Sequence, residues 1–218
     1  GVTGSGKTEV FLRAIRHVLK DGRGVIVMVP EIALTPQTID RFHRYFGGTV
    51  AVLHSGLTMS ERMDEWKRIK NGDAQIVIGT RSAVFAPLQK IGLIVIDEEQ
   101  ETTYKSEQSP RYHARDVARV RVAYHNSLLL LASATPSIES FYRAQRGKYH
   151  LLTLKNRYGK ANLPDVTILD MSTQALNARS ASLSQELIDQ LQENLDHHEQ
   201  SILLLNRRGY HTLVKCAI

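Results

Sequence analysis

The first eight residues of the chain have the residue types and spacing of a phosphate-binding loop. They match the pattern G-x-x-x-x-G-K-[ST] at every fixed position. Because glycine allows tight turns, successive backbone N–H groups can face one anion at the positive end of the following helix. Lys7 would then contact the β- and γ-phosphates of ATP, and Thr8 would bind Mg²⁺ through its hydroxyl. The predicted cradle consists of Gly1, Thr3, Gly4, Ser5, Gly6, Lys7 and Thr8. A flexible Gly/Ser linker that happens to contain Lys-Thr is the alternative interpretation.

An acidic stretch, residues 97–100, follows the apolar run at residues 93–96. A carboxylate at the end of a buried strand can hold the Mg²⁺ shared with nucleotide phosphates, so Asp97 is the predicted metal partner of Thr8. A second carboxylate, Glu98, can orient and deprotonate the attacking water. Lys7, Asp97 and Glu98 are therefore the predicted catalytic residues. A solvated acidic turn is the alternative interpretation of this stretch.

Five short apolar runs predict the strands of a sheet. They lie at residues 25–29, 50–53, 76–78, 93–96 and 128–131. Unbroken apolar runs of this length are typical of strands that are buried on both faces of a parallel sheet. Small, hydroxyl and charged residues follow most of these runs. In a parallel sheet such residues meet at one edge, where ligands bind, so we expect them to form one site.

Helical patterns alternate with these runs. Apolar residues at three- and four-residue intervals predict a helix after Thr8. Thr35 as N-cap with Pro36 at the first helical position predicts a second helix, and Ser60 as N-cap predicts a third. Further helices are predicted at residues 116–124 and 138–146. The alternation indicates an α/β fold with a mostly parallel central sheet flanked by helices. A cradle of this kind follows a buried strand, and no residue precedes Gly1, so we expect the sheet to lack its first strand.

Composition and charge indicate a soluble protein with a polyanionic partner. The formal net charge of +6 suits a polyanion such as nucleic acid. No apolar run approaches the roughly 20 residues that a membrane span needs. The single cysteine excludes an internal disulfide and fits a reducing compartment. We therefore predict a cytoplasmic protein without a membrane partner.

Seven motifs stand in the order found in superfamily 2 DNA helicases. Besides the cradle and the acidic stretch, they occupy residues 30–35, 53–56, 79–83, 133–137 and 206–210. The chain resembles this superfamily and, within it, the bacterial replication-restart helicases. The resemblance implies a RecA-like P-loop NTPase lobe plus an incomplete second lobe. It also implies an ATP-driven motor that moves 3′ to 5′ on single-stranded DNA and unwinds branched DNA at stalled forks. Single-strand-binding protein and other primosome proteins are the implied protein partners.

The resemblance also implies roles for individual residues. The loops at residues 30–35 and 79–83 face DNA in such helicases, which implies DNA contacts from Thr35, Thr80, Arg81 and Ser82. Residues 133–135 connect the nucleotide site to the DNA site, which implies a coupling role for Ser133 and Thr135. Gln100 stands where the family usually has a histidine. It is also a coupling position, and glutamine there can form hydrogen bonds but cannot become cationic.

Aromatic and basic residues alternate within residues 103–115. Rings can stack on bases while cations follow the phosphate backbone, so this composition is typical of a single-strand contact. The predicted contacts are Tyr104, Lys105, Arg111 and Tyr112. A surface loop whose tyrosines pack locally is the alternative interpretation.

The character of the sequence changes after about Leu154. We predict motor lobe 1 at residues 1–154, a linker with the start of lobe 2 at 155–182, and part of lobe 2 at 183–218. Within this part we predict strands at residues 165–170 and 201–205, a loop at 171–182, and a helix marked by Leu183, Leu187, Leu191 and Leu195. In the resembling family a cysteine at the position of Cys216 begins a zinc-binding region. We therefore expect Zn²⁺ in the full-length protein but not in this chain.

The sequence is also compatible with two other functions. One is a double-strand DNA translocase that moves without unwinding. The other is a nucleotide- and DNA-binding module without turnover, which is what we expect of the isolated chain. The reason is that motors of this kind take an arginine finger from later motifs of their second lobe.

Overall fold

The computed structural model describes residues 4–156, 165–170 and 183–204. The chain divides into two compact units, Gly1–Ala161 and Asn162–Ile218. The predicted domain boundaries after residues 154 and 182 remain predictions, since the second of them lies outside the described residues. None of the described helices is both long enough and apolar enough to cross a membrane.

A parallel five-stranded sheet forms the centre of the first unit. Its strands are β1 (Gly24–Met28), β2 (Val50–Leu53), β3 (Ile76–Gly79), β4 (Ile91–Ile96) and β5 (Leu128–Leu131), in the order β2-β3-β1-β4-β5. Every residue of β1, β3 and β4 is buried, as the unbroken apolar runs predict. Strand β5 lies at an edge of the sheet, where Leu128 is 59% exposed. The predicted parallel α/β fold is confirmed.

Five helices of the described residues belong to the same unit as this sheet. They are α1 (Lys7–Lys20), α2 (Pro36–Phe46), α3 (Met59–Asn71), α4 (Ala114–Tyr124) and α5 (Ile138–Gln145). Alternate residues of β1 point to opposite faces of the sheet. Val25 and Val27 belong to a core cluster that includes residues of α1 and α2, whereas Ile26 and Met28 belong to a cluster that includes residues of α3 and α4. The sheet therefore has helices on both faces, as predicted.

Helix caps explain where these helices begin. Thr35 accepts a hydrogen bond from the backbone N–H of Thr38, and Pro36 is the first helical residue of α2, as predicted. The prediction of Ser60 as the N-cap of α3 is wrong. Thr58 is the N-cap, and it forms a capping box with Glu61 that satisfies two backbone N–H groups. Ser60 has no residue three positions later that could complete such a pair.

The second unit contains helix α6 (Gln185–Asp196), which begins after the N-cap Ser184 and includes all the predicted leucines except Leu183. The strand predictions for this unit are wrong for the residues that the structure describes. Residues 165–170 and 201–204 form no strand, and their apolar side chains are exposed, with Ile168 at 90% and Ile202 at 96%. An apolar run becomes a strand only where neighbouring backbone offers hydrogen bonds, and no described residue pairs with either run. Leu205 and the loop predicted at 171–182 lie outside the described residues.

Candidate active site

The acidic turn, residues 97–100, lies at the carboxyl edge of the sheet. The N–H of Asp97 donates to the carbonyl of Met28 at the end of β1, over 2.9 Å. The N–H of Glu99 donates to the carbonyl of Ala132, one residue after β5, over 3.0 Å. The turn is therefore fixed by backbone hydrogen bonds between two strand ends, which is the place where ligands bind in parallel sheets.

The described part of the predicted cradle has the geometry of an anion site. Gly4 and Gly6 have φ angles of +74° and +84°, a backbone conformation that favours glycine. Gly6 is the N-cap of α1, and no side chain caps this helix end. The hydroxyl of Ser5 is buried and has no partner among the described residues. A phosphate would satisfy both the hydroxyl and the open helix end. Gly1 and Thr3 lie outside the described residues.

Lys7 connects this cradle to the acidic turn. Its Nζ lies 2.9 Å from Oε1 of Glu98, although 91 positions separate the two residues in the sequence. The lysine side chain is largely buried, whereas the carboxylate is about one-third exposed. Glu98 has a φ of +45°, which is uncommon for a residue other than glycine. The backbone here thus adopts a strained conformation that presents the carboxylate to Lys7.

The environment of Glu98 keeps it ionised. Burial alone would raise the pKa of this carboxyl, but hydrogen bonds from Lys7 and Gln100 outweigh burial and hold the pKa below its ordinary value. The Nε2 of Gln100 donates to Oε2 of Glu98 over 3.0 Å, so both carboxylate oxygens are engaged. An ionised carboxylate with fixed oxygens is suited to accept a proton from water.

Asp97 has the opposite electrostatic environment. Burial raises the pKa of its carboxyl, and the neighbouring charge of Glu98 adds to this, although the N–H of Glu98, which donates to Oδ1 over 3.0 Å, opposes it. The charge of Lys7 also acts to lower this pKa, but burial outweighs it. A carboxylate that burial destabilises is costly, and a bound Mg²⁺ would reduce that cost. The carboxylate of Asp97 and the hydroxyl of Thr8, in the first turn of α1, are both oxygen ligands of the kind Mg²⁺ prefers.

The raised pKa of Asp97 leads to a prediction about stability. Without nucleotide and metal, Asp97→Asn is expected to raise the thermal unfolding midpoint at pH 7, because it removes a charge that the folded state destabilises. The difference between wild type and variant should shrink as the pH falls through the raised folded-state pKa towards the ordinary value, since the folded state then takes up a proton and no longer contains the unfavourable charge. Calorimetry in EDTA between pH 4 and pH 7 measures this, and Asp73→Asn on an exposed turn is the control. A lower midpoint for Asp97→Asn at pH 7 would contradict the prediction.

The predicted coupling residues form one chain of hydrogen bonds with the acidic turn. The hydroxyl of Ser133 donates to Oε1 of Gln100 over 2.6 Å, and the N–H of Thr135 donates to Oγ of Ser133 over 2.8 Å. Since Gln100 also donates to Glu98, the chain runs from the lysine of the cradle to residue 135. A displacement of residues 133–135 would therefore change the hydrogen bonding of Glu98 through Gln100.

The predicted DNA-facing residues of the two loops, residues 30–35 and 79–83, differ in solvent exposure. Thr35 and Ser82 are exposed. Thr80 does not fit its prediction, because its side chain is buried, its N–H donates to Leu53, and its carbonyl accepts from Ala83. The turn is tight here because Gly79 approaches the carbonyl oxygen of Leu53 so closely that a Cβ would lie 2.1 Å from it.

Arg81 supports the segment that follows the acidic turn. Its Nη1 donates to the carbonyls of Thr103 and Lys105 over 3.2 and 2.6 Å, and its guanidinium lies 5.9 Å from the ring centroid of Tyr112. Arg81 therefore holds residues 103–105 and residue 112 together, while part of its surface remains accessible. Lys105 and Arg111 are both exposed on this segment.

The two tyrosines of this segment are packed. Tyr104 is 1% exposed, and its hydroxyl donates to the carbonyl of Asp97 over 2.7 Å. Burial raises the pKa of this phenol far above its ordinary value. The prediction that Tyr104 stacks on a base is therefore replaced by its packing alternative. Tyr112 is half-buried and contacts Phe85 edge to face, with ring centroids 5.0 Å apart. Lys105 and Arg111 are left as the exposed members of the predicted set.

Sequence reasoning missed a buried polar cluster beside this site. Glu99 is 3% exposed and accepts hydrogen bonds from Arg115, Ser137 and Ser140. Ser137 is the N-cap of α5, and Arg115 lies in the first turn of α4. The sequence offers little signal for this cluster, because a third acidic residue in a polar turn looks the same whether it is buried or solvated.

The family model described as DEAD/DEAH box helicase matches residues 1–143 of the chain. The replication restart protein PriA of Bacillus subtilis is 48% identical over 216 residues, which cover 99% of this chain and 27% of that protein. The protein of the same name from Treponema pallidum is 47% identical, with 99% of this chain and 32% of that protein covered. The chain thus spans about a third or less of these relatives, and the predicted resemblance to replication-restart helicases is confirmed.

Among solved structures, the chain is similar to RecG bound to a three-way DNA junction. The identity is 28%, the match covers 67% of this chain and 19% of that chain, and the TM-score is 0.48.

Proposed function

The chain belongs to the DEAD/DEAH box helicase family, and from this premise we propose that it is motor lobe 1, with the start of lobe 2, of an ATP-dependent DNA helicase that acts in replication restart. The ion pair between Lys7 and Glu98 carries the proposal, because it brings the lysine of a phosphate cradle to the carboxylate suited to activate water. The motor moves 3′ to 5′ on single-stranded DNA and unwinds branched forks.

In this proposal the residues at the carboxyl edge of the sheet have separate roles in ATP hydrolysis. The cradle binds the phosphates through backbone N–H groups and the N-terminal end of α1. Thr8 and Asp97 would hold Mg²⁺ together with the phosphates. The bound ion would supply positive charge that neutralises the phosphoryl group during its transfer. Glu98 orients the attacking water and accepts its proton.

ATP binding changes the partner of Lys7. Without nucleotide, Lys7 and Glu98 neutralise each other over 2.9 Å. When the β- and γ-phosphates enter the cradle, Lys7 turns to them, because two phosphates carry more negative charge than one carboxylate. This exchange releases one oxygen of Glu98 for water, while Gln100 continues to hold the other. The water-activating group therefore becomes available only when the substrate is bound.

DNA contacts come from the exposed polar side of the same edge. Thr35 and Ser82 offer hydroxyls to phosphate oxygens, and Arg81, Lys105 and Arg111 offer positive charge. Because Arg81 holds the backbone of residues 103–105, a strand that binds here contacts the segment that follows directly from the acidic turn. Gln100, Ser133 and Thr135 then transmit the change to Glu98.

Replacement of the exposed cations by alanine should weaken DNA binding in a salt-dependent manner. We expect Lys105→Ala and Arg111→Ala in the full-length protein each to make the negative slope of log binding constant against log salt concentration shallower by about 1. Base preference should change little. Fluorescence anisotropy with labelled single-stranded DNA at several salt concentrations gives this slope. Lys90→Ala, an exposed lysine at the amino end of β4, is the matched control. Slopes that equal the wild-type slope for both variants would refute a DNA contact at this segment.

The remaining parts of the proposal concern the full-length protein. It works in the cytoplasm with single-strand-binding protein and other primosome proteins, and Zn²⁺ binds to a region that begins near Cys216, which lies outside the described residues. The isolated chain binds nucleotide and DNA but does not turn over, because the arginine finger of such motors contributes on the order of 10³–10⁵ in rate from the second lobe.

The experiment that tests the function is the ATPase rate of the full-length protein against added single-stranded DNA. We expect little turnover without DNA and a saturable increase with it. A rate that does not respond to DNA would refute a DNA-driven motor. A double-strand translocase of the same superfamily is the second candidate, and displacement of a labelled strand from forked DNA distinguishes the two, since a translocase does not separate the strands.

A further inference from the structure

Three consecutive side chains of the acidic turn hold the same loop. We call residues 133–137 the serine loop, because serines stand at both of its ends. Gln100 accepts a hydrogen bond from Ser133 at the start of the loop, over 2.6 Å. The backbone of Ala134, near the middle of the loop, lies beside Glu98. Glu99 accepts from the N–H of Ser137 at the end of the loop, over 2.7 Å. Hydrogen bonds to the acidic turn therefore fix the loop at its start and at its end.

The contact at the end of the loop is the most buried of the three. Besides the N–H of Ser137, Glu99 accepts hydrogen bonds from the hydroxyls of Ser137 and Ser140, over 3.1 and 2.9 Å. Nη1 of Arg115 donates to Oε2 of Glu99 over 2.8 Å and also to both hydroxyls, over 2.9 and 3.1 Å. The two charged side chains are 2% and 13% exposed. Glu99 thus joins the acidic turn to the N-terminal turns of α4 and α5.

Stability alone does not explain this cluster. A buried ion pair often stabilises a fold no better than apolar residues of similar size, because the desolvation of both charges offsets their attraction. The Nε of Arg115 adds a further cost, since it is buried and has no partner among the described residues. What the ion pair does provide is geometry, because a carboxylate with four donors can occupy only one position.

We propose that Glu99 and Arg115 are positioning residues that fix the end of the serine loop. Because the end of the loop is fixed to α4 and α5, Ser133 keeps its hydrogen bond with Gln100 and Ala134 stays beside Glu98. Glu98 therefore keeps the orientation that it needs to activate water. This inference rests on the proposed ATPase function and adds two residues to it. Neither residue touches the nucleotide or the reacting water, so both act through Glu98 and Gln100.

The experiment compares stability with turnover in the full-length protein. Glu99→Gln and Arg115→Met each leave one buried group unpaired, so each should lower the unfolding midpoint. The double variant Glu99→Leu/Arg115→Met removes both charges, so its midpoint should lie above that of either single variant, although the N–H of Ser137 loses its acceptor. We expect its DNA-stimulated kcat to remain about 10- to 100-fold low, because small displacements of a reacting group have effects of this size. The KM for ATP should stay within about twofold of the wild-type value, since no contact with nucleotide is lost.

Hydrogen exchange provides a second measurement on the same proteins. Amide protection of residues 137–141 should fall in the double variant relative to wild type, because Ser137 N–H loses its acceptor. Asp116→Asn is the matched control. Asp116 forms an exposed ion pair with Arg119 on the same helix as Arg115, at 3.7 Å, and its loss should change neither turnover nor exchange.

Each outcome supports or overturns the inference. Recovery of kcat together with the midpoint in the double variant would show that the ion pair acts only through stability. If the double variant does not fold, the Glu99→Gln variant provides the test, because glutamine has nearly the same shape as glutamate. A wild-type kcat for Glu99→Gln would overturn the inference. If wild-type protein itself shows no DNA-stimulated hydrolysis, the proposed function fails instead.

Discussion

Lys7→Ala in the full-length protein is expected to reduce DNA-stimulated ATP hydrolysis to background, a loss of at least about 10²–10³ in kcat. The lysine is the positive charge of the cradle, and the backbone N–H groups cannot replace a mobile cation that follows the phosphates. A coupled assay of ADP release at saturating DNA and Mg²⁺ measures the loss. The fold should persist, because Lys7 lies in the first turn of α1 and the carboxylate of its partner Glu98 is about one-third exposed and can be solvated.

The control for this variant lies on the same helix. Lys20→Ala removes an exposed lysine at the opposite end of α1 and should retain wild-type turnover. The unfolding midpoints of both variants should remain close to that of the wild type. Retained hydrolysis in Lys7→Ala would remove the assignment of the first eight residues as a phosphate cradle, whatever the sequence pattern suggests.

Glu98→Gln is expected to separate binding from chemistry. Glutamine has nearly the same shape but cannot accept a proton from water, so hydrolysis should fall by about 10²–10⁴. ATP affinity should be retained or improved, since Lys7 no longer has to leave an ionised carboxylate to reach the phosphates. Titration with a fluorescent ATP analogue gives the affinity, and single-turnover hydrolysis gives the rate of the chemical step.

Glu101→Gln is the matched control for Glu98→Gln. Glu101 lies three residues further along, and its backbone N–H donates to the carbonyl of Glu98 over 2.9 Å. Its replacement should leave hydrolysis close to the wild-type rate. If Glu98→Gln loses nucleotide affinity by the same factor as hydrolysis, Glu98 contributes to ground-state binding and is not the base.

The fold could be predicted from the sequence where burial on both sides forces a single outcome. Runs such as residues 25–29 and 93–96 are apolar throughout, which favours strands buried on both faces, and both runs form central strands of the sheet. The start of α2 was equally well determined, because Thr35 and Pro36 favour the same helix end for independent reasons. Residues 165–170 were apolar at alternate positions yet form no strand, because strand formation depends on a neighbour that the local sequence cannot specify.

The candidate site was predictable where a spacing pattern identifies the chemistry. The cradle and the acidic stretch identified Lys7 and Glu98, and the structure places them in contact. Composition was misleading for Tyr104, because a tyrosine among basic residues looks the same whether it is exposed or, as here, fully packed with its hydroxyl on a backbone carbonyl. Glu99 was missed for the converse reason. Its partners lie 16 to 41 positions away and have no spacing of their own.

The decisive measurement is a crystal structure of the full-length protein with Mg²⁺ and a non-hydrolysable ATP analogue. We expect Nζ of Lys7 to have left Glu98 and to lie about 2.7–3.2 Å from a phosphate oxygen. Thr8 and Asp97 should surround Mg²⁺, directly at about 2.0–2.1 Å or through its water ligands. A nucleotide bound away from the first turn of α1, with the Lys7–Glu98 ion pair intact, would contradict the account.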